Sequence, residues 1–311
     1  MRIVFCGTAE FAVPTLNRLI AEPDFTIEAV VTQPDRPRGR GQEVAGSAVK
    51  NAALDAELYV YQPEKIKSES ANAFLQRMAP DAVVIVAYGQ IIPAQLLEIP
   101  RLGWINLHAS LLPRYRGAAP IHWAIVRGET RTGLTTMRLD PGLDTGPILL
   151  QVEMEIGLDE TAAELTQRMA DAGALLMVET LRKLERGEFV PVPQDDGQAS
   201  FAPILRKEHG RLDWSQTAQQ IYNRIRGLQP WPGAFTKFRG QLCHVWGRPA
   251  GPEHPPAAPG TLVERAGDVL VACGEQTWLR LEGVQLEGRK HVLARDFANG
   301  ARLKPGERFG A

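Results

Sequence analysis

Three cysteines in 311 residues, at Cys6, Cys243 and Cys273, are too few and too scattered for a disulfide framework. No two have metal-ligand spacing, so no metal is expected. No apolar run approaches the eighteen or so residues of a membrane span, so no membrane partner is expected either. The N-terminal MRIVFCGTAEF has an apolar core too short for a secretory signal; it reads as a first strand, and a cytoplasmic location is expected. After that strand stands one glycine, not GxGxxG, which points away from NAD or FAD. The phosphate-cradling GxxxxGK[ST] is missing, and Ser110 lacks the GxSxG frame of a nucleophile elbow. There is no internal repeat or low-complexity tract.

What remains is an ordinary globular composition, 44% hydrophobic and 23% charged, in a chain long enough for two domains. Net charge is only −1, but it is unevenly spread. Residues 206–311 carry 16 Lys and Arg against 10 Asp and Glu, whereas residues 1–205 carry 19 against 26. A basic part of balance +6 suggests an anionic partner. The pattern predicts a first domain over 1–189, a linker rich in Pro, Gln and Asp over 190–205, and a second domain over 206–311.

In the first domain, apolar runs at 2–6 and 27–32 flank a helical spacing at 11–20, a βαβ unit of a parallel sheet. Helices are expected at 47–56, 68–78, 91–97, 121–127 and 159–187, the last with Thr161 and Glu164 at capping-box spacing. Strands are expected at 58–61, 81–87, 133–139 and 148–156, of which 81–87 (DAVVIVA) reads as buried on both faces. Residues 33–50 (QPDRPRGRGQEVAGSAVK) form a basic loop without periodicity. Past a helix at 215–226, five short runs at 235–238, 241–246, 260–263, 269–273 and 278–282 suggest a small β-barrel. Trp231, Trp246 and Trp278 are assigned to its core.

The stretch 104–120, WINLHASLLPRYRGAAP, organises the first domain. Trp104, Ile105 and Leu107 are the apolar residues of a strand that Asn106 and His108 interrupt at i, i+2, on one face. A carboxamide and an imidazole thus emerge together where the strand ends, the usual place of a crevice in an α/β sheet. A second turn-rich loop, 140–147, brings Asp144. An amide donor and an imidazole suit an oxyanion and a proton; a carboxylate beside the ring would orient it and favour its charged form. The residues themselves lead to an α/β acyl or group transferase whose substrate supplies the nucleophile, and no further.

The run Asn106-Leu107-His108 with Ser110-Leu111-Leu112-Pro113, and Leu143-Asp144-Thr145-Gly146-Pro147 downstream, resembles the folate-dependent formyltransferase family. The segment 32–41 and the later Arg116-Gly117-Ala118-Ala119-Pro120, Lys207-Glu208 and Trp231-Pro232-Gly233-Ala234 are similar to those members that act on methionine carried by initiator tRNA. The resemblance implies a Rossmann-like, mostly parallel sheet followed by an OB-like β-barrel. It implies transfer of a formyl group from 10-formyltetrahydrofolate, a consumed cosubstrate, to the α-amino group of methionyl-tRNA for translation initiation, by a monomer. Asn106, His108 and Asp144 would be catalytic. Ser110, Leu111, Leu112 and Pro113, with Tyr88 and Gly89, would line the folate pocket. Arg36, Arg38, Arg40 and Lys207 would meet tRNA. A formyltransferase of the same fold acting on a glycinamide nucleotide or a sugar amine, and an RNA-binding protein without activity, are the alternatives.

Overall fold

The computed structural model describes residues 1–38, 43–251 and 255–310, and forms two compact units. The first comprises Met1–Pro120, Arg131–Glu155 and Thr166–Ala202. Its strands are β1 (Arg2–Gly7), β2 (Thr26–Val31), a ribbon of β3 (Arg36–Arg38) and β4 (Glu43–Ala45), then β5 (Val60–Tyr61), β6 (Ala82–Val86), β7 (Trp104–His108), β8 (Arg131–Arg138) and β9 (Ile148–Glu155). Seven of them form one sheet in the order β5-β2-β1-β6-β7-β8-β9. Pairing is parallel from β5 to β7 and antiparallel across β7, β8 and β9. The expected mostly parallel sheet is therefore present, with an antiparallel margin.

Six helices lie along the same stretch of chain: α1 (Val13–Ala21), α2 (Ala48–Asp55), α3 (Glu69–Met78), α4 (Ala94–Leu97), α5 (Pro120–Val126) and α6 (Ala162–Glu185). Local chemistry sets their starts. Ser47 accepts from Lys50 N at 2.9 Å and Ser68 from Ala71 N at 3.2 Å, each satisfying an orphan amide of the first turn. Thr161 and Glu164 form the capping box their spacing predicts. All five residues of β6 are buried, as a strand covered on both faces requires. Trp104 at the start of β7 packs with Val83, Ile85 and Leu96, its indole N–H donating to Leu96 O at 2.7 Å. Burying each such side chain contributes about 1.5–3 kcal/mol.

The basic loop differs from expectation. Residues 36–38 pair antiparallel with 43–45 as the ribbon β3–β4, since backbone amides find partners across the turn even where the side-chain pattern carries no period.

The second unit comprises Ile121–Thr130, Ile156–Leu165 and Pro203–Ala311. It contains α7 (Ala218–Gly227), β10 (Phe235–Phe238), β11 (Gln241–Pro249), β12 (Leu262–Arg265), β13 (Asp268–Ala272), β14 (Trp278–Leu286), β15 (Val292–Leu293) and α8 (Ala294–Ala301). The antiparallel order is β10-β11-β14-β13-β12, with β15 on β14. The C-terminal tail touches both ends of that order: Gly310 N donates to Lys237 O at 2.8 Å and Leu262 N to Glu307 O at 2.8 Å. Where a small β-barrel is expected, the structure has an antiparallel sheet whose two edge strands are tied by one segment, which limits unpaired edge groups. Midway along β11 the register shifts at Trp246/Gly247, where a Cβ on Gly247 would lie 2.5 Å from Arg280 O; only glycine lets the strands approach there. The core joins Ile221 of α7 to Val245, Leu279, Leu281, Phe297 and Phe309. The short β15 and α8 were not expected. Trp278 is core, as expected, but Trp231 is 55% exposed, because it sits between two prolines in an irregular loop instead of on a strand.

Candidate functional site

β7 carries the two polar residues to its carboxyl end, Asn106 opposite Met137 and His108 opposite Thr135 of β8. Asn106 is half-buried, and among the described residues its side-chain amide has no hydrogen-bond partner. His108 is 6% exposed, with Nε2 at 2.9 Å from Tyr115 O. A carbonyl only accepts, so Nε2 carries the hydrogen of that bond. The other nitrogen, Nδ1, faces Asp144 Oδ2 at 3.7 Å. That separation is beyond a hydrogen bond but within the reach of charge on charge. The structure thus brings His108 and Asp144 together, from a strand end and from a loop 36 residues further on.

Two loops hold this arrangement. Asp144 adopts φ 52° in the loop between β8 and β9, and its Oδ2 accepts from Gly117 N at 2.8 Å. Tyr115 adopts φ 61°, a conformation that a bulky residue enters only under constraint, at a cost of about 1–3 kcal/mol. The constraint is a set of backbone bonds to residues 200–202. Tyr115 N donates to Ser200 Oγ at 2.9 Å, Arg116 N to Ser200 O at 2.8 Å and Ala202 N to Arg116 O at 2.8 Å.

Ser110 is buried; its hydroxyl donates to Arg114 O and its own carbonyl accepts from Thr135 Oγ1, both at 2.6 Å. Leu112 is buried too, its amide donating to Thr135 Oγ1 and its carbonyl accepting from Gln151 Nε2. Of the four residues 110–113, Leu111 and Pro113 are the ones with partly accessible side chains, and Leu111 packs over Gly133, where a Cβ would lie 2.5 Å from it.

At the end of β6, Tyr88 turns its ring into the core, 2% exposed, where its hydroxyl has no partner among the described residues. Burial pushes that phenol well above its ordinary value. Its carbonyl accepts from Thr8 Oγ1 at 2.8 Å and from Gln33 Nε2 at 2.9 Å. Gly89 at φ 86° gives Gln33 room, since a Cβ there would lie 2.6 Å from Nε2. Just beyond Gln33, Asp35 pairs with Lys50 at 2.5 Å and accepts from Gln62 Nε2 at 2.8 Å. The Lys50 hydrogen bond holds the Asp35 carboxyl below its usual range. These contacts fasten the root of the β3–β4 ribbon. Arg36 is exposed on β3 and Arg38 ends that strand, whereas Arg40 lies outside the described residues. Lys207, in the second unit, is exposed.

The residues that sequence reasoning missed lie in the stretch expected as a linker. Gln194 donates from Nε2 to Asp144 O at 2.9 Å and to Gly146 O at 2.7 Å. Its Oε1 accepts from Arg116 Nε at 3.0 Å and Nη2 at 2.8 Å. Nη2 of the buried Arg116 also meets Asp196 Oδ1 at 2.8 Å. Val192 pairs with Ile148. Polar residues without period give no sequence signal of such a role. Among the described residues no group of three or more His, Cys, Asp or Glu side chains could hold a metal, and no helix is long and apolar enough to cross a membrane.

Comparison with known proteins covers most of the chain. Residues 1–181 match the family described as Formyl transferase, and residues 204–302 match Formyl transferase, C-terminal domain. The chain is 55% identical over 310 residues to a methionyl-tRNA formyltransferase of Solibacter usitatus, covering all of this chain and 99% of that one. It is 52% identical to another of the same name from Acidobacterium capsulatum, with full coverage of both. Among solved structures, WlaRD, a sugar 3N-formyl transferase, shares the fold at TM-score 0.67 and 18% identity, covering 93% of this chain and 99% of that one. HypX from Aquifex aeolicus in complex with tetrahydrofolic acid does so at TM-score 0.61 and 17% identity, covering 96% of this chain and 47% of that one.

Proposed function

The chain belongs to the formyl transferase family, and on that premise we propose that it moves a formyl group from 10-formyltetrahydrofolate to the α-amino group of methionine on initiator tRNA, the reaction that prepares methionyl-tRNA for translation initiation. The observation that carries the choice of acceptor is 55% identity over the whole chain, both units included, to a methionyl-tRNA formyltransferase. A sugar-amine acceptor has only the shared fold in its favour, at 18% identity.

The residues fit a folate donor. The partly accessible Leu111 and Pro113 offer apolar surface, and Asn106 offers an amide that no described residue occupies. When bound, the donor supplies the formyl carbon that the amine attacks. An α-amino group has an ordinary pKa of about 8, so a useful fraction is neutral and nucleophilic near pH 7. As the amine adds, charge develops on the carbonyl oxygen. Asn106 Nδ2 donates to that oxygen, and His108, two residues on, lies on the same face of β7. Nε2 stays on Tyr115 O, which fixes the ring and leaves Nδ1 as the nitrogen that exchanges a proton. Asp144, held by Gly117 N, stabilises positive charge on the ring while that proton moves from the amine to the departing nitrogen. His108 therefore acts as the acid–base group, Asn106 as an oxyanion donor and Asp144 as the ring's electrostatic partner.

On the acceptor side, Arg36 and Arg38 of the ribbon, Arg40 further along the same stretch of sequence, and Lys207 of the basic stretch 206–311 supply phosphate contacts. These carry binding, whereas the chemistry lies at β7. Purified protein with methionyl initiator tRNA and 10-formyltetrahydrofolate should yield formylmethionine; formylation of an amino sugar but not of the tRNA would refute the assignment. Asn106→Ala and His108→Ala should each slow turnover by a factor on the order of 100–1000 with folate binding kept. Arg40→Leu should raise KM for tRNA and leave folate affinity unchanged.

A further inference from the structure

The Tyr115–Gly117 backbone contacts both members of the His108–Asp144 pair. The carbonyl of Tyr115 takes His108 Nε2, and the amide of Gly117 reaches Asp144 Oδ2. The residue between them, Arg116, is 4% exposed and directs Nε and Nη2 at one oxygen, Gln194 Oε1. From the other end of the same side chain, Gln194 Nε2 donates to the carbonyls of Asp144 and Gly146. A closed circuit results: Arg116 to Gln194, Gln194 to the Asp144 backbone, the Asp144 carboxylate to Gly117, and Gly117 back to Arg116 through the chain. It joins three segments far apart in sequence, at 115–117, 144–146 and 194–196.

We infer that Gln194, anchored by Arg116, is a positioning residue for the formyl transfer: it fixes the loop of Asp144 so that the carboxylate stays against His108 Nδ1. Asp144 sits at φ 52°; Gly117 N holds its carboxylate and, among the described residues, Gln194 grips its carbonyl. An amide is suited to the position because it accepts from a guanidinium with one atom while donating to two carbonyls with the other. A carboxylate would satisfy Arg116 but set its oxygens against the carbonyls of Asp144 and Gly146. Asp196, whose side chain is 81% exposed, adds charge to Arg116 from the solvent side. The inference rests on the proposed roles of His108 and Asp144.

Gln194→Glu tests it, because the arginine contact survives while the grip on the loop gives way to repulsion from the two carbonyls. Single-turnover and steady-state formylation of methionyl initiator tRNA should show kcat lowered about 10- to 100-fold, the range expected when a reacting group is displaced by about an ångström. KM for both substrates should stay within about twofold, and the protein should stay folded at the assay temperature, with its melting temperature lowered only by the loss of two hydrogen bonds. Gln194→Leu should lower kcat similarly, and Arg116→Lys should do so less, since one ammonium contact remains. In an Asp144→Asn background, Gln194→Glu should have little further effect, as what it positions is already disabled. Unchanged kcat in Gln194→Glu, or an equal factor lost in the Asp144→Asn background, overturns the inference. Full activity of Asp144→Asn itself would instead overturn the catalytic reading beneath it.

Discussion

Replacing Asp144 by Asn removes a charge and leaves a shape. The amide oxygen can still accept from Gly117 N, now bonded to Oδ2 at 2.8 Å, so the loop keeps its anchor. What disappears is the attraction, in the proposed mechanism, between a carboxylate and a ring that becomes positive as it takes a proton at Nδ1. At 3.7 Å, opposite unit charges attract by about 4 kcal/mol with an effective dielectric of ~20. The ring is 6% and the carboxylate 15% exposed, so solvent weakens this only in part. Since about 1.4 kcal/mol is a factor of ten in rate, Asp144→Asn should lower kcat by about 100- to 1000-fold. KM for folate and tRNA should hardly move, because neither substrate needs that charge in order to bind. The assay is formylation of methionyl initiator tRNA at saturating concentrations of both substrates, beside a thermal melt of the same preparation. A kcat within tenfold of the parent, with an unchanged melt, would refute the electrostatic argument. A loss of kcat matched by a large drop in melting temperature would refute the claim that Gly117 keeps the loop in place.

Gly146→Ala should destabilise the protein by about 1–3 kcal/mol in denaturant titration, because its Cβ would stand 1.8 Å from Arg138 O; kcat should fall with it, since Asp144 lies on the displaced loop. Acid should expose a second contact. The Arg182 guanidinium hydrogen-bonded to Asp24 holds its carboxyl well below the usual carboxylate range, at about 2. As pH falls, the unfolded chain takes up that proton first, near pH 4, so the stabilisation is complete above that value and is lost on the way down to about 2. Asp24→Asn should flatten the fall of stability between pH 4 and 2; an unchanged slope would show that the contact does not persist in solution.

The elements were legible where short-range chemistry decides them. Apolar runs announced β1, β6 and β7, the helices expected at 47–56 and 68–78 are α2 and α3, and Thr161 with Glu164 marked the start of α6. The second unit's strand-like runs are equally local. Less local features escaped. The ribbon β3–β4 forms by backbone pairing that side-chain period does not report, and α8 is a short helix of Ala294–Ala301 whose start no side chain caps. Trp231 looked like core by residue type and is exposed, because its neighbours are prolines and not a strand.

The candidate site divides the same way. That Asn106 and His108 share a face follows from the period of a strand, so sequence alone determined it. That Asp144 lies 3.7 Å from the ring depends on a loop after β8 meeting the end of β7, and only the tertiary structure decided it. The role of 190–202 was decided later still. A polar stretch without period reads as linker, yet Gln194 and Ser200 fix the loops of both Asp144 and Tyr115 through bonds to backbone atoms. Backbone carbonyls and amides are the same at every position, so no residue pattern announces which of them a distant side chain will hold.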